Sequence, residues 1–237
     1  MKRLAFLAIL YAALSYNCKE QSKEAANTTE SPEKELTILE KVAHAHGYAH
    51  WKDVKEITFT FNVDRDTTHF ERTWVWKPKP NEVTAISGPD TLTYHRKTMD
   101  SIAQKTNGDF INDRYWILAP FNLIWDADNF THEHTLESKA PISSEPMQKL
   151  TIVYGNEGGY TPGDAYDFYF KDDFILREWV FRKANQLEPS MTTTWEDYAT
   201  MKGLILAQDH KMAEPGFSLN FTNLSVKNSL ARASFLK

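Results

Sequence analysis

The chain has one cysteine, Cys18, in 237 residues. A fold formed downstream of it can contain neither a disulfide nor a cysteine nucleophile. No apolar run reaches the roughly 20 residues that a membrane-spanning helix needs. The longest, Leu4–Leu14 (LAFLAILYAAL), stops well short of that. The sequence has no G-x-S-x-G elbow, no phosphate loop, no dinucleotide fingerprint and no H-E-x-x-H, so nothing in it points to a common hydrolase or nucleotide site. It also lacks positive charge: the formal net charge is −5, with Lys and Arg scattered among Asp and Glu. Such a surface releases no counterions from a phosphate backbone, which argues against nucleic acid as a partner.

Apolar residues are plentiful at 41%, and seven Trp and fourteen Phe are among them. That is enough for a buried core. The beginning of the chain reads as an export signal. Met1-Lys2-Arg3 is a short basic start, and Leu4–Leu14 has the length of a signal-peptide apolar core. Leu14 stands four residues before Cys18. The run closing on Ser15-Tyr16-Asn17-Cys18 resembles the lipobox of bacterial lipoproteins. That resemblance implies cleavage before Cys18 and acylation of its thiol, giving three chains at the new N-terminus. Several chains are needed, because one acyl chain, at about 0.8 kcal/mol per buried CH₂, holds a membrane only marginally. The alternative is ordinary signal cleavage after Ser15, which leaves a soluble periplasmic protein with a free thiol.

Three segments follow: a signal peptide over 1–17, Cys18 with a flexible tether to residue 35, and a single β-rich domain over 36–237. The tether, Lys19–Glu35, has no large apolar residue. Ser31-Pro32-Glu33 reads as a helix start, Leu36, Leu39, Val42, Ala43 and His46 recur at helical spacing, and Gly47 reads as the stop. The period then changes to two. Eleven antiparallel strands are expected: 54–63, 69–77, 82–87, 91–96, 130–136, 148–154, 165–171, 174–183, 191–200, 204–210 and 217–227. Gly88-Pro89-Asp90, Asp172-Asp173 and Lys202-Gly203 read as turns. Between the two groups of strands, Met99–Lys105 reads as a helical turn ending at Asn107-Gly108. Phe110–Trp125, interrupted by Pro120, reads as short helical segments packed on the sheet. So many consecutive strands must curl or split into layers. The expected fold is mainly β with helical cover: an unclosed half-barrel, one N-terminal helix and a mid-chain helical insert.

This order of elements, together with the lipobox, resembles the LolA/LolB-like lipoprotein-carrier superfamily over the whole mature domain. His46-Gly47 with Trp51 is similar to uncharacterised envelope lipoproteins of that superfamily. So is Tyr160-Thr161-Pro162-Gly163-Asp164 with Thr194-Trp195-Glu196-Asp197-Tyr198. The resemblance carries over no functional residue. It implies a half-barrel whose hollow takes acyl chains, in a protein of the bacterial cell envelope and most naturally of its outer membrane. A closed lipocalin-like barrel or a sandwich is compatible with the same strands.

Candidate site residues follow from the strand pattern. Trp74, Trp76, Trp116, Phe121, Trp125, Phe168, Phe170, Trp179, Phe181 and Trp195 fall in alternating sets or on the insert. They either line an apolar ligand cavity or pack as core. His132 and His134 share a strand face, with roughly 7 Å between them along the chain, and are the candidates for a metal. His44, His46 and His50 cluster near the first helix, but two or three histidines in ordinary surroundings are more simply hydrogen-bonded side chains. Asp164, Asp167, Asp172 and Asp173, and Glu196-Asp197, could make an acid/base pair or a calcium loop. They sit where turns and strand edges need them anyway. The expected function is binding of a lipid or acylated protein by a membrane-anchored lipoprotein, with no cofactor implied. The alternatives are a metal-assisted envelope hydrolase and a non-catalytic interaction subunit.

Overall fold

The computed structural model describes residues 35–229. The expected signal peptide, Cys18, the tether up to residue 34 and the helix start Ser31-Pro32-Glu33 lie outside the described residues. The described residues from Leu36 onward form one compact unit.

Thirteen strands make two curled antiparallel sheets and a small hairpin. Strands β1 (Val54–Arg65), β2 (Thr68–Lys77), β3 (Glu82–Ser87) and β4 (Asp90–His95) form a meander. β12 (Asp209–Lys211) and β13 (Phe217–Asn228) return to the free side of β1, giving the order β12-β13-β1-β2-β3-β4. β5 (Phe130–Lys139), β6 (Pro146–Tyr154), β7 (Ala165–Phe170), β8 (Leu176–Arg182) and β9 (Met191–Thr194) form the second sheet in sequence order. β10 (Ala199–Met201) pairs with β11 (Leu204–Leu206). A bridge from Glu196 to Asp209 links the second sheet to β12. β4 and β5 are edges that do not pair with each other, so the barrel is open.

The strand count exceeds eleven because two expected strands each break in two. Residues 191–200 divide at Trp195–Tyr198, where Asp197 takes φ 51°, and residues 204–210 divide after Leu206. The expected strand over 174–183 starts later, at Leu176, because Phe174 has φ 58°. Lys202-Gly203 is the expected turn: both residues have positive φ, 53° and 86°, as a tight hairpin of right-handed twist requires.

The N-terminal helix α1 (Ile38–Ala45) is capped by Thr37. Thr37 accepts from the Glu40 N–H while Glu40 reaches back to the Thr37 N–H, a complete capping box. Gly47, at φ 88°, ends it as expected, and a 3-10 turn over Tyr48–Asp53 leads into β1. The insert forms α2 (Ser101–Trp125), capped by Asp100, and it runs straight through Asn107-Gly108. Burial supplies what propensity does not: Asn107 is a buried acceptor for Arg96 and Tyr94, so it holds the helix on β4 and does not end it. The interruption expected at Pro120 is present: at Leu118 the backbone leaves helical geometry (φ −120°, ψ 16°), and α2 is two helical segments joined across that kink.

The two halves of α2 differ. The first lies amphipathically across β2–β4. In the second, every residue from Asp113 to Leu123 is buried. A helix apolar on all sides belongs inside, and this half fills the space between the two sheets. Around it, Ile57, Phe59, Phe61, Trp74 and Trp76 from the first sheet meet Ile152, Tyr154, Tyr166, Phe168 and Trp179 from the second in one continuous core. The second sheet is also covered on its outer face. Glu178, itself buried, accepts from the N–H groups of Ile142 and Ser143 at 2.6 and 2.9 Å, holding that loop over Met147, Tyr169 and Val180.

Candidate functional site

Eight of the ten aromatic candidates, all but Trp125 and Phe181, are buried, and all ten meet other rings. Trp116 meets Trp179 at 4.6 Å, Trp179 meets Trp195 at 5.5 Å, and Trp195 meets His210 at 4.6 Å. Phe168 packs on Trp179, Phe170 on Phe174, and the half-buried Phe181 on Tyr166. At the other end Trp76 and Phe121 close on Trp51 and Trp125. Trp74 packs on Phe110 at 5.4 Å and, unlike the other nine, also borders a surface groove described next.

That groove, about 290 Å³ in volume, lies between the concave side of β2–β4 and the first half of α2. Its apolar wall is Phe70, Trp74, Ala85, Ile86 and Leu92, and its polar rim includes Arg72, Asp90, Thr106 and Asp109. Pairing explains the wall: Trp74, Ala85 and Leu92 stand opposite one another on three neighbouring strands, and so share a face. One large apolar side chain of this wall stays in solvent: Phe70 is 45% exposed.

A buried ion pair fixes α2 against this wall. The Asp113 carboxylate is fully enclosed and accepts from Arg72 Nε at 2.9 Å, Arg72 Nη2 at 2.8 Å and Trp74 Nε1 at 2.8 Å. Asn112 adds a fourth donor. Burial pushes the Asp113 carboxyl up, and the Arg72 hydrogen bonds oppose it. Arg72 also reaches Asp109 at 2.9 Å and lies over the Phe70 ring at 4.8 Å.

The neighbouring Arg114 is different. It is 9% exposed and forms no hydrogen bond or ion pair with the described residues, and its Nε is buried without a partner. Its guanidinium lies 5.1 Å from the Trp125 ring, 5.3 Å from Trp76 and 6.0 Å from Phe110. Burial pushes it down to about 10, helped by Arg96 nearby and opposed by the more distant charge of Asp126, so it remains charged at neutral pH.

The histidines and acids are occupied otherwise. His132 is exposed, and His134 bonds Gln148 at 2.9 Å while stacking on Phe170. His46 is buried between Val42 and Leu176, and His50 lies beneath Gly203. Asp167 is held by Thr151 and Arg182, Asp164 by the Ala184 N–H, Asp173 by Arg177, and Glu196 by Lys211. Asp172 accepts from Gln148, and Asp197 sits at a positive-φ corner. Among the described residues no three His, Cys, Asp or Glu gather as a metal set.

Strand periodicity places Phe70 on one face with Trp74 and Trp76, as found, but it misses Arg72 at the groove and Asp113 and Arg114 behind it. The sequence did carry one signal for them: Asp113-Arg114 are the two charges inside the otherwise apolar stretch Phe110–Trp125.

No family model matches the chain, and no curated protein matches it in sequence. Its fold is similar to solved structures of low identity. A DUF1329 family protein from Desulfovibrio piger aligns at TM-score 0.46 and 9% identity, covering 85% of this chain and 98% of that one. A LolA superfamily protein from Nitrosomonas europaea gives 0.45 and 12%, with coverage of 84% and 96%. An outer membrane lipoprotein-sorting protein domain from Vibrio parahaemolyticus gives 0.42 and 11%, with coverage of 82% and 95%. These TM-scores lie below 0.5, so nothing about function is drawn from them.

Proposed function

We propose that this chain is a lipoprotein of the bacterial envelope, anchored through Cys18, that holds an apolar chain of a lipid or acylated protein in the groove between β2–β4 and α2. The carrying observation is an apolar wall left open to solvent, with Phe70 on it 45% exposed. An apolar wall open to solvent in a concavity marks a ligand surface. The volume suits a modest ligand. At about 30 Å³ for each water-sized group, 290 Å³ holds roughly ten groups, a short acyl chain or part of a longer one. The site therefore differs from the hollow expected from the aromatic pattern, because the second half of α2 occupies most of that interior.

Filling the groove tests the reading. Ala85→Trp places a ring beside Trp74 and Leu92 on the groove side of β3. It should lower affinity for decanol at least tenfold, measured by tryptophan fluorescence, with little change in melting temperature. Unchanged decanol binding would refute the groove as the site. In the same preparation, Cys18→Ala should move the protein from membranes to the soluble fraction, and unchanged fractionation would refute the anchor.

A further inference from the structure

Arg114 is an anomaly for a structural residue. An arginine is rarely enclosed without a carboxylate. Asp113, the adjacent residue, shows what the fold does with a charge it needs for packing: it surrounds it with four donors. Arg114 receives nothing comparable. The faces of Trp76, Trp125 and Phe110 attract its charge, but a ring face leaves the N–H groups without an acceptor in the plane of the guanidinium. The Trp76 Nε1–H beside it is also buried with no acceptor. Both groups can only donate. Two adjacent enclosed donors with nothing to receive them are costly unless an acceptor arrives. Arg96 adds positive charge nearby: its guanidinium lies 5.5 Å from the Phe110 ring, and the one side-chain hydrogen bond it makes among the described residues goes to the neutral Asn107.

We infer that Arg114 and Trp76 Nε1, with Arg96 across the Phe110 ring, form an oxyanion site that takes a carboxylate or phosphate group. Phe110 packs on both Trp74 and Trp76, so one ring separates this site from the apolar groove. Where the oxyanion is the head of the amphiphile, the inference builds on the acyl-chain reading above. Where it is a free anion, it stands alone. The guanidinium supplies charge and planar donors, and the surrounding rings exclude the water that would compete.

The test uses the full chain carrying Cys18→Ala, so that no acyl group of its own competes. Decanoate, decanol and inorganic phosphate are compared at constant ionic strength, reading tryptophan fluorescence and melting temperature. Decanoate is expected to bind at least ten times more tightly than decanol, and Arg114→Met to abolish that preference. The methionine keeps apolar contact with Trp76 and Phe110 and buries no charge, so the ligand-free variant should melt no lower than the parent. A phosphate-induced rise in melting temperature that Arg114→Met removes, without a preference for decanoate over phosphate, supports a free-oxyanion site while counting against the acyl-chain reading. Equal affinity for decanoate and decanol in the parent protein, with no response to phosphate, overturns the oxyanion site and leaves the acyl-chain reading standing. The parent comparison decides the matter even if the variant folds poorly. Binding of none of the three overturns both.

Discussion

Acid should destabilise this protein through two enclosed histidines, and His46 allows the effect to be isolated. Its Nδ1–H donates to the Val42 carbonyl at 2.9 Å, and its Nε2 accepts the Leu176 N–H at 3.4 Å, joining α1 to β8. Burial lowers it to about 4. The Val42 carbonyl opposes the shift, Arg177 adds to it, and Asp173 works against it. In the unfolded chain the same imidazole titrates near 6.5. Above that value neither state holds the proton. Between about 6.5 and 4 the unfolded chain takes it up and the folded chain does not, so stability falls as pH falls. The shift corresponds to about 3 kcal/mol by pH 4. His210, pushed down to about 3 by burial among Trp116, Trp195 and Phe221, acts in the same direction and further into acid. Against a typical total of about 5–15 kcal/mol, these are large losses. His46→Gln offers the same donor and acceptor but does not titrate. Urea denaturation should find the variant about 1 kcal/mol less stable than the parent at pH 7 and more stable near pH 4. The difference between the two cancels the surface groups, including His69, Glu82 and Glu145. Parallel stability–pH curves would show that His46 is not held neutral by the fold, and the reasoning would fail.

Two further outcomes follow from packing. Asp113→Ala leaves the buried Trp74 indole N–H without an acceptor and Arg72 with Asp109 alone, so it should cost about 2–3 kcal/mol in urea denaturation; a loss below 1 kcal/mol would mean the pair does not clamp α2. Gly47→Ala meets both a left-handed backbone and the Gly203 carbonyl oxygen, and should cost on the order of 3 kcal/mol or more. Gly88→Ala, at φ 55° with open space around it, should cost only about 1 kcal/mol, and similar losses at both positions would remove the argument from close approach.

Several strands were legible because one face is buried, and a period of two survives wherever that holds, though β7 is buried on both faces. β1 shows this: Ile57, Phe59 and Phe61 point inward over its length. The period misled where the backbone leaves the sheet at a residue that is not glycine. Asp197, at φ 51°, divides what reads as one strand into β9 and β10, and nothing local in Trp195–Tyr198 announces it. The motif-like stretches find packing roles. Tyr160 stacks on Tyr115 at 3.7 Å, Tyr198 sits by His46 and donates to the Leu176 carbonyl, and Gly47 lets the first turn approach Gly203. The length of α2 was illegible for a related reason. Asn107-Gly108 is a local stop signal that tertiary contacts override, whereas the interruption read at Pro120 is present as the kink at Leu118.

The same override explains why the aromatic pattern located the core and not the groove. Period and composition report which side chains avoid water; they do not report whether the volume they enclose is already taken. Here the second half of α2 enters that volume, and Leu118, Phe121 and Leu123 are buried where a ligand would otherwise lie. An occupant of the interior would have to displace a helix clamped by Asp113 and anchored by rings on every side. An occupant of the groove displaces only water from Phe70, Ala85 and Leu92. The first half of α2 is therefore where a small ligand can be held at low cost. Arg114 stands at the boundary between the two halves, an enclosed charge to which the described residues give no hydrogen bond or ion pair and which Asp126 reaches only through space.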